Sequence, residues 1–193
     1  MIKPTDTAHS GFDVLDVCHR QTVIALGRLA ALMTRLANQG ADDEARTLAR
    51  EIVRHFSTTS RDHHIDEERH VFPTLLVTGD AETVQAVQRL QQDHSWLEED
   101  WSELSPMLEA IAGGQSWVDL DVLREGVEVF TALSHEHIAL EESLIYPQAR
   151  AQLGPAARAT MGREMLERRR DAAAARRRLQ KPAAARRVKT IDT

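Results

Sequence analysis

Apolar residues over the first 155 positions recur at helical spacing in four separate stretches. In the first, Leu15, His19, Val23, Leu26, Ala30 and Met33 make one stripe. It predicts a helix over about 13–38, stopped by Asn38-Gln39-Gly40. Asp42-Asp43-Glu44 opens a second helix with acid in its first turn, where the helix dipole favours it. Its stripe runs Leu48, Ile52, Phe56, Thr59, His63, Glu67 and His70; Pro73 should kink or limit it, and Thr78-Gly79-Asp80 ends it. The third, about 81–111, carries Val87, Leu90, His94, Leu97, Trp101, Leu104 and Leu108. Pro106 removes one of its hydrogen bonds, and Gly113-Gly114 closes it. The fourth, about 119–153, carries Leu123, Val127, Phe130, Ser134, His137, Glu141 and Ile145 before Gly154-Pro155 breaks it. Four long helices with short links predict an all-α, up-down-up-down four-helix bundle over residues 1–155. Residues 156–193 form a different text, a basic Ala/Arg-rich C-terminal helix and tail.

Each apolar stripe carries a histidine about mid-helix, and the surrounding pattern repeats. His63 and Glu67 are four apart, with Phe72-Pro73 after them; His137 and Glu141 are four apart, with Tyr146-Pro147 after them. Each His stands nine residues before its aromatic–Pro pair, His19 lies 44 before His63, and His94 lies 43 before His137. Residues four apart share a helix face, so an imidazole and a carboxylate there can point inward at one cation. Two such helices and two further histidines bring six donors to the axis, the way carboxylate-bridged di-metal sites are built in bundles. Without metal, all six buried polar groups would need other partners. His64 with Glu68 is an alternative register, but the aromatic–Pro alignment favours His63 with Glu67. His135 lies about 200° around the helix from His137 and reads as surface. His70 lies near the Glu67 face, and His9 and His55 read as ordinary polar residues. Trp101 and Cys18 read as core.

Composition supports helix, with 4% aromatic residues and abundant Ala, Leu, Glu and Arg. The single cysteine, Cys18, excludes an internal disulfide and points to a reducing compartment. No apolar run approaches the roughly 18 residues of a membrane span, and the N-terminus lacks an apolar signal core. A cytoplasmic protein is the expectation. Residues 1–157 hold 12 Lys and Arg against 26 Asp and Glu, net −14, while 158–193 hold 12 against 4, net +8. The acidic body suits cations and would repel a polyanion. The basic tail should therefore dock on the body or on a second chain as a homodimer, using Met165, Leu166, Ala172, Ala173 and Leu179 as its apolar strip. A nucleic-acid arm is the alternative reading of the tail.

HHIDEERHVFP and HIALEESLIYP, each with an upstream helical His, resemble the hemerythrin-like HHE cation-binding family over about residues 13–153. The resemblance implies a four-helix bundle around a non-haem di-iron centre. Carried over by position, His19, His63, His94 and His137 would be terminal ligands, and Glu67 and Glu141 bridging carboxylates. It further implies an oxo- or hydroxo-bridged di-ferric resting state, with O2, NO or peroxide as the small ligand; carboxylates together with imidazoles suit iron and also admit Mn or Zn as substitutes. Hemerythrin proper has a second His one turn after the third-helix ligand, where this chain has Glu98. As a seventh candidate ligand, Glu98 would make the site harder and more anionic, against reversible oxygen carriage. Two functional readings stay open: a di-iron protein that binds or senses a diatomic ligand or handles iron or redox stress, and a di-iron oxidase, peroxidase or NO-reducing enzyme.

Overall fold

The computed structural model describes residues 10–115 and 117–180, and among them it contains only helix, turns and links. His9, residues 181–193 and the Leu179 side chain lie outside the described residues. The helices are α1 (Gly11–Gln39), α2 (Asp43–Arg54), α3 (Arg61–His70), α4 (Phe72–Thr78), α5 (Ala81–Ala112), α6 (Leu120–Leu140), α7 (Tyr146–Gln152) and α8 (Pro155–Gln180). Two π-helical turns, His55–Ser60 and Glu141–Ile145, join α2 to α3 and α6 to α7.

The starts arise from local chemistry. Ser10 and Asp13 form a reciprocal capping box on α1, and the side chains of Asp42, Asp80 and Asp119 accept first-turn amides of α2, α5 and α6. Each such cap contributes about 1 kcal/mol. Gly40, at φ 72°, ends α1 in a left-handed conformation that a side chain would strain. Pro106 does not stop α5; it lies on the exposed side, where solvent satisfies the carbonyl it leaves free.

α1 packs on α2 and α6, and α5 packs on the same two, closing a ring of four. Two apolar clusters fill it. One gathers Leu26, Leu29, Leu32, Ile52, Phe56, Leu104, Leu108 and Phe130; the other gathers Phe12, Leu15, Val71, Phe72, Leu75, Leu90, Ile145 and Tyr146. Along α1, α5 and α6 the histidines fall between these two sets, so a polar layer is sandwiched between two apolar cores. The stripes expected on α5 and α6 lie inside. On α1 the expectation fails at Val23, which is 46% exposed, and at Ala30. On a helix of 3.6 residues per turn Val23 and Ala30 stand about 60–80° to one side of Leu15, whereas the buried face extends to the other side, through Cys18, Thr22, Ala25, Leu29, Leu32 and Leu36.

α8 lies along α1 and reaches α3. Met161 and Met165 are buried, and a Cβ on Gly11 would run into the Met161 side chain, so the two helices meet where α1 has no side chain. Leu166 is partly buried against the same cluster. Docking on the acidic body is thus what the described part of the tail does. Arg168 and Arg169 both bond the fully buried Asp66, at 2.5 and 2.7 Å. Arg169 also donates to Cys18 Sγ at 2.9 Å, and Arg168 reaches Asp62 at 3.2 Å.

Candidate metal centre

Six of the seven candidates meet at the polar layer. His19 comes from α1, His63 and Glu67 from α3, His94 from α5, His137 from the end of α6, and Glu141 from the π turn after it. They fall into two groups whose donor atoms lie within 4.8 Å of one another: His19, His63, Glu67 and Glu141, and Glu67, His94, His137 and Glu141. Both carboxylates belong to both groups. His19 Nε2 stands 3.1 Å from His63 Nε2 and 3.0 Å from Glu141 Oε2. His137 Nε2 stands 3.1 Å from Glu141 Oε1, and the His63 and His94 Nε2 atoms are each 3.5 Å from Glu67 Oε2. Two donors on one ion, each about 2.0–2.2 Å from it, sit about 3 Å apart, so these separations fit shared cations.

Two of the outer nitrogens are held too: His19 Nδ1 lies 3.0 Å from Glu142 and His94 Nδ1 lies 2.9 Å from Glu68. His137 Nδ1 has no hydrogen-bond partner, and its nearest carboxylate, the buried Asp93, stands 3.7 Å away. A carboxylate accepting the Nδ1 proton fixes the tautomer and leaves Nε2 bare toward the centre. The Tyr146 hydroxyl donates to Glu67 Oε1 at 2.6 Å, and its ring stacks on His19.

Several buried polar atoms of the layer have no hydrogen-bond partner. They include Glu67 Oε2, Glu141 Oε1, His94 Nε2 and His137 Nε2, all aimed into the layer. Orphaned buried groups cost on the order of 1–3 kcal/mol each, and a cation in their midst would satisfy all of them. The electrostatics agree. Burial, then the Glu141 charge beside it, pushes the Glu67 carboxyl up to about 7. Burial works against the charge on Glu141 as well, but His137 and its hydrogen bond hold that carboxyl well below the usual range. Burial also opposes charge on His137, yet Glu141 and Asp93 raise it to about 10. The layer thus draws protons to balance two enclosed carboxylates, the work a cation would do in their place. Burial, then neighbouring imidazoles, keeps His63 and His64 neutral, the form that ligates.

Glu98 is not brought in. Its side chain is 60% exposed and its carboxylate lies 3.6 Å from Arg61 Nε at the rim of a cavity. It stays exposed beside a guanidinium, whereas turning inward would bury a third carboxylate beside Glu67 and Glu141. His70 faces Glu164 of α8 at 3.7 Å, His55 bonds Thr22, and His135 is exposed. Cys18 is buried, and Trp101 is partly buried beside the cavity.

Sequence reasoning takes Glu68 only as the partner of His64 in a rival register and Tyr146 only as part of the repeat, and it passes over Glu142, Asp93 and Asp66. One signal is present: both repeats read His-x-x-x-Glu-Glu, and the second acid of each reaches a histidine on another helix. His64, which the spacing offers only as an alternative register, joins His94 and His137 in a third group of donors. The cavity beside the layer has a volume of about 370 Å³ and is lined by His19, His63, His64, His137, Phe56, Trp101, Phe130 and several hydroxyl side chains.

Against known proteins, residues 10–149 match the Hemerythrin HHE cation binding domain. The chain is also 28% identical over 163 residues, 84% of its own length and 92% of the other's, to an uncharacterized protein of Haemophilus influenzae.

Proposed function

The chain belongs to the hemerythrin HHE cation-binding family and is a metal-binding protein, and from that premise we propose that it holds two iron ions and presents them to a small ligand, O2, NO or peroxide. His19 and His63 would be terminal donors to one ion, and His94 and His137 to the other. Glu67 and Glu141 would be shared. The observation that carries this reading is the pair of donor groups with both carboxylates in common. Imidazole with carboxylate suits iron and also accommodates Mn or Zn. Iron in this donor set supplies one-electron redox change and an acceptor site for the small ligand. The protein's own part is to keep Nε2 atoms bare, to hold the Tyr146 hydroxyl on Glu67, and to enclose the layer between two apolar clusters.

The test is metal content and the visible spectrum after production in iron-rich medium. About two iron atoms per chain are expected, with the chelated protein melting at lower temperature because the ions bind only the folded state. One metal or none per chain, or identical melts, would sink the proposal. A second reading, an oxidase, peroxidase or NO-reducing enzyme, draws support from the cavity, whose 370 Å³ exceeds what a diatomic needs and falls in the range of organic-ligand pockets. Sustained consumption of O2, peroxide or NO with a reductant would favour the enzyme; a single stoichiometric reaction would favour the binder.

A further inference from the structure

We propose that His64 is a fifth imidazole ligand, donating to the ion held by His94 and His137, so that the two metal positions are unequal. The inference rests on the di-metal reading of the same site.

Three observations carry it. A ring nitrogen of His64 lies within 4.8 Å of donors on both His94 and His137, making a complete group of three imidazoles. Its Nδ1 is enclosed and has no hydrogen-bond partner, an arrangement that is costly for a ring with no task. Its plane lies 11° from that of His94 at 4.0 Å between ring centres, which fixes its rotation, and it faces His137 edge-on at 5.5 Å. Adjacent residues on an ordinary α-helix point about 100° apart, so His63 and His64 would not be expected to serve one site together. The π turn His55–Ser60 immediately precedes α3, which carries them both. Such a turn inserts a residue and re-aims the side chains beyond it, and these turns recur at functional sites. Here the boundary between the two donor groups falls between His63 and His64.

The opposing helix is consistent with this. On α5 the position one turn after His94 is Glu98, which faces Arg61 and not the ions. That side of the layer would otherwise offer its ion no third nitrogen. His64 and Glu98 line the same cavity from facing helices, so an imidazole at either position approaches from the cavity side.

The alternative is that His64 only stacks on His94. His64→Phe separates the two, because it keeps a flat ring and removes the nitrogens. The experiment measures iron per chain, affinity by chelator competition and the visible spectrum for the full-length protein, for His64→Phe, and for His64→Phe combined with Glu98→His. Melting of each metal-free protein checks the fold. In His64→Phe one ion should be weakened by more than the roughly 10–100-fold that loss of an outer partner costs, with the other retained and the spectrum shifted. Adding Glu98→His should restore much of the affinity. Two ions held with unchanged affinity and spectrum in His64→Phe would overturn the assignment. If the unsubstituted protein holds only one ion, the two-ion reading fails by itself. The role of His64 is then read on that ion, and an unchanged affinity overturns it equally.

Discussion

The two donor groups arise from two copies of one spacing pattern, yet they sit in different surroundings. The His19–His63 side is backed by Tyr146, and behind it α8 is strapped down by Arg168 and Arg169 on Asp66, with Cys18 under the strap. The His94–His137 side has no such strap among the described residues. It has a buried carboxylate, Asp93, and the rings of Phe72 and His64 both stacked on His94. The repeat supplies matched donors on matched turns. What stands behind each donor comes from residues that do not repeat, and that is where the two positions acquire different affinities.

The largest test breaks the comparison at what the two sides share. Glu67→Ala or Glu141→Ala should empty both positions, because each carboxylate belongs to both groups. His19→Ala or His94→Ala should release mainly the ion on its own side. Metal per chain and chelator competition read this directly. Two ions retained in either glutamate variant would show that the carboxylates are not shared.

A smaller effect is expected at the strap. Removing both arginines, as Arg168→Ala with Arg169→Ala, leaves the Asp66 carboxylate enclosed and unpaired. Breaking a buried pair costs about 3–5 kcal/mol. The lower end applies, because the arginines are 19% and 21% exposed. Urea unfolding should shift to match, and adding Asp66→Asn should recover part of the loss by removing the stranded charge. Cys18 under the strap precedes His19, which belongs to one group only, so metal should weaken first on the His19–His63 side. Equal loss on both sides would make the strap a general stabiliser of the fold and not a feature of one position.

Much of this is legible in the chain. The helices α5 and α6 and their stripes come from periodicity, and the six central donors come from the repeat. Four things do not. The π turns change the turn length within otherwise helical text, and periodicity at 3.6 cannot register one inserted residue. Spacing alone therefore sets His64 against His63 as a rival register, whereas both rings enter the layer. On α1, Val23 and Ala30 fit a stepwise count but lie outside the buried arc. Glu98 has ligand chemistry at a ligand's spacing, and only the position of Arg61 on the facing helix explains why it stays at the rim. The partners of the outer nitrogens are hidden for the same reason: Glu68 and Glu142 serve histidines on other helices, so the pairing is visible only in three dimensions.

The finest test sharpens the comparison through those outer carboxylates. Asp93 is 1% exposed, whereas Glu68 and Glu142 are 48% and 56% exposed. A charge in a low-dielectric setting acts on its histidine with little screening, while an exposed one competes with water and salt. Asp93→Asn keeps the shape and removes the charge; Glu68→Gln and Glu142→Gln do the same at the surface. Loss of such partners typically costs about 10–100-fold in metal affinity. Asp93→Asn should fall toward the upper end of that range despite its longer 3.7 Å contact, and the two glutamine variants toward the lower end. Raising the salt concentration should screen the contributions of Glu68 and Glu142 along with the general attraction of the acidic body, leaving the Asp93 effect in place. If Asp93→Asn costs no more than the surface variants, burial is not what distinguishes the partners. The 3.7 Å separation would then mark Asp93 as a neighbour of His137 without influence on it, and the asymmetry between the two positions would rest on His64 and the strap.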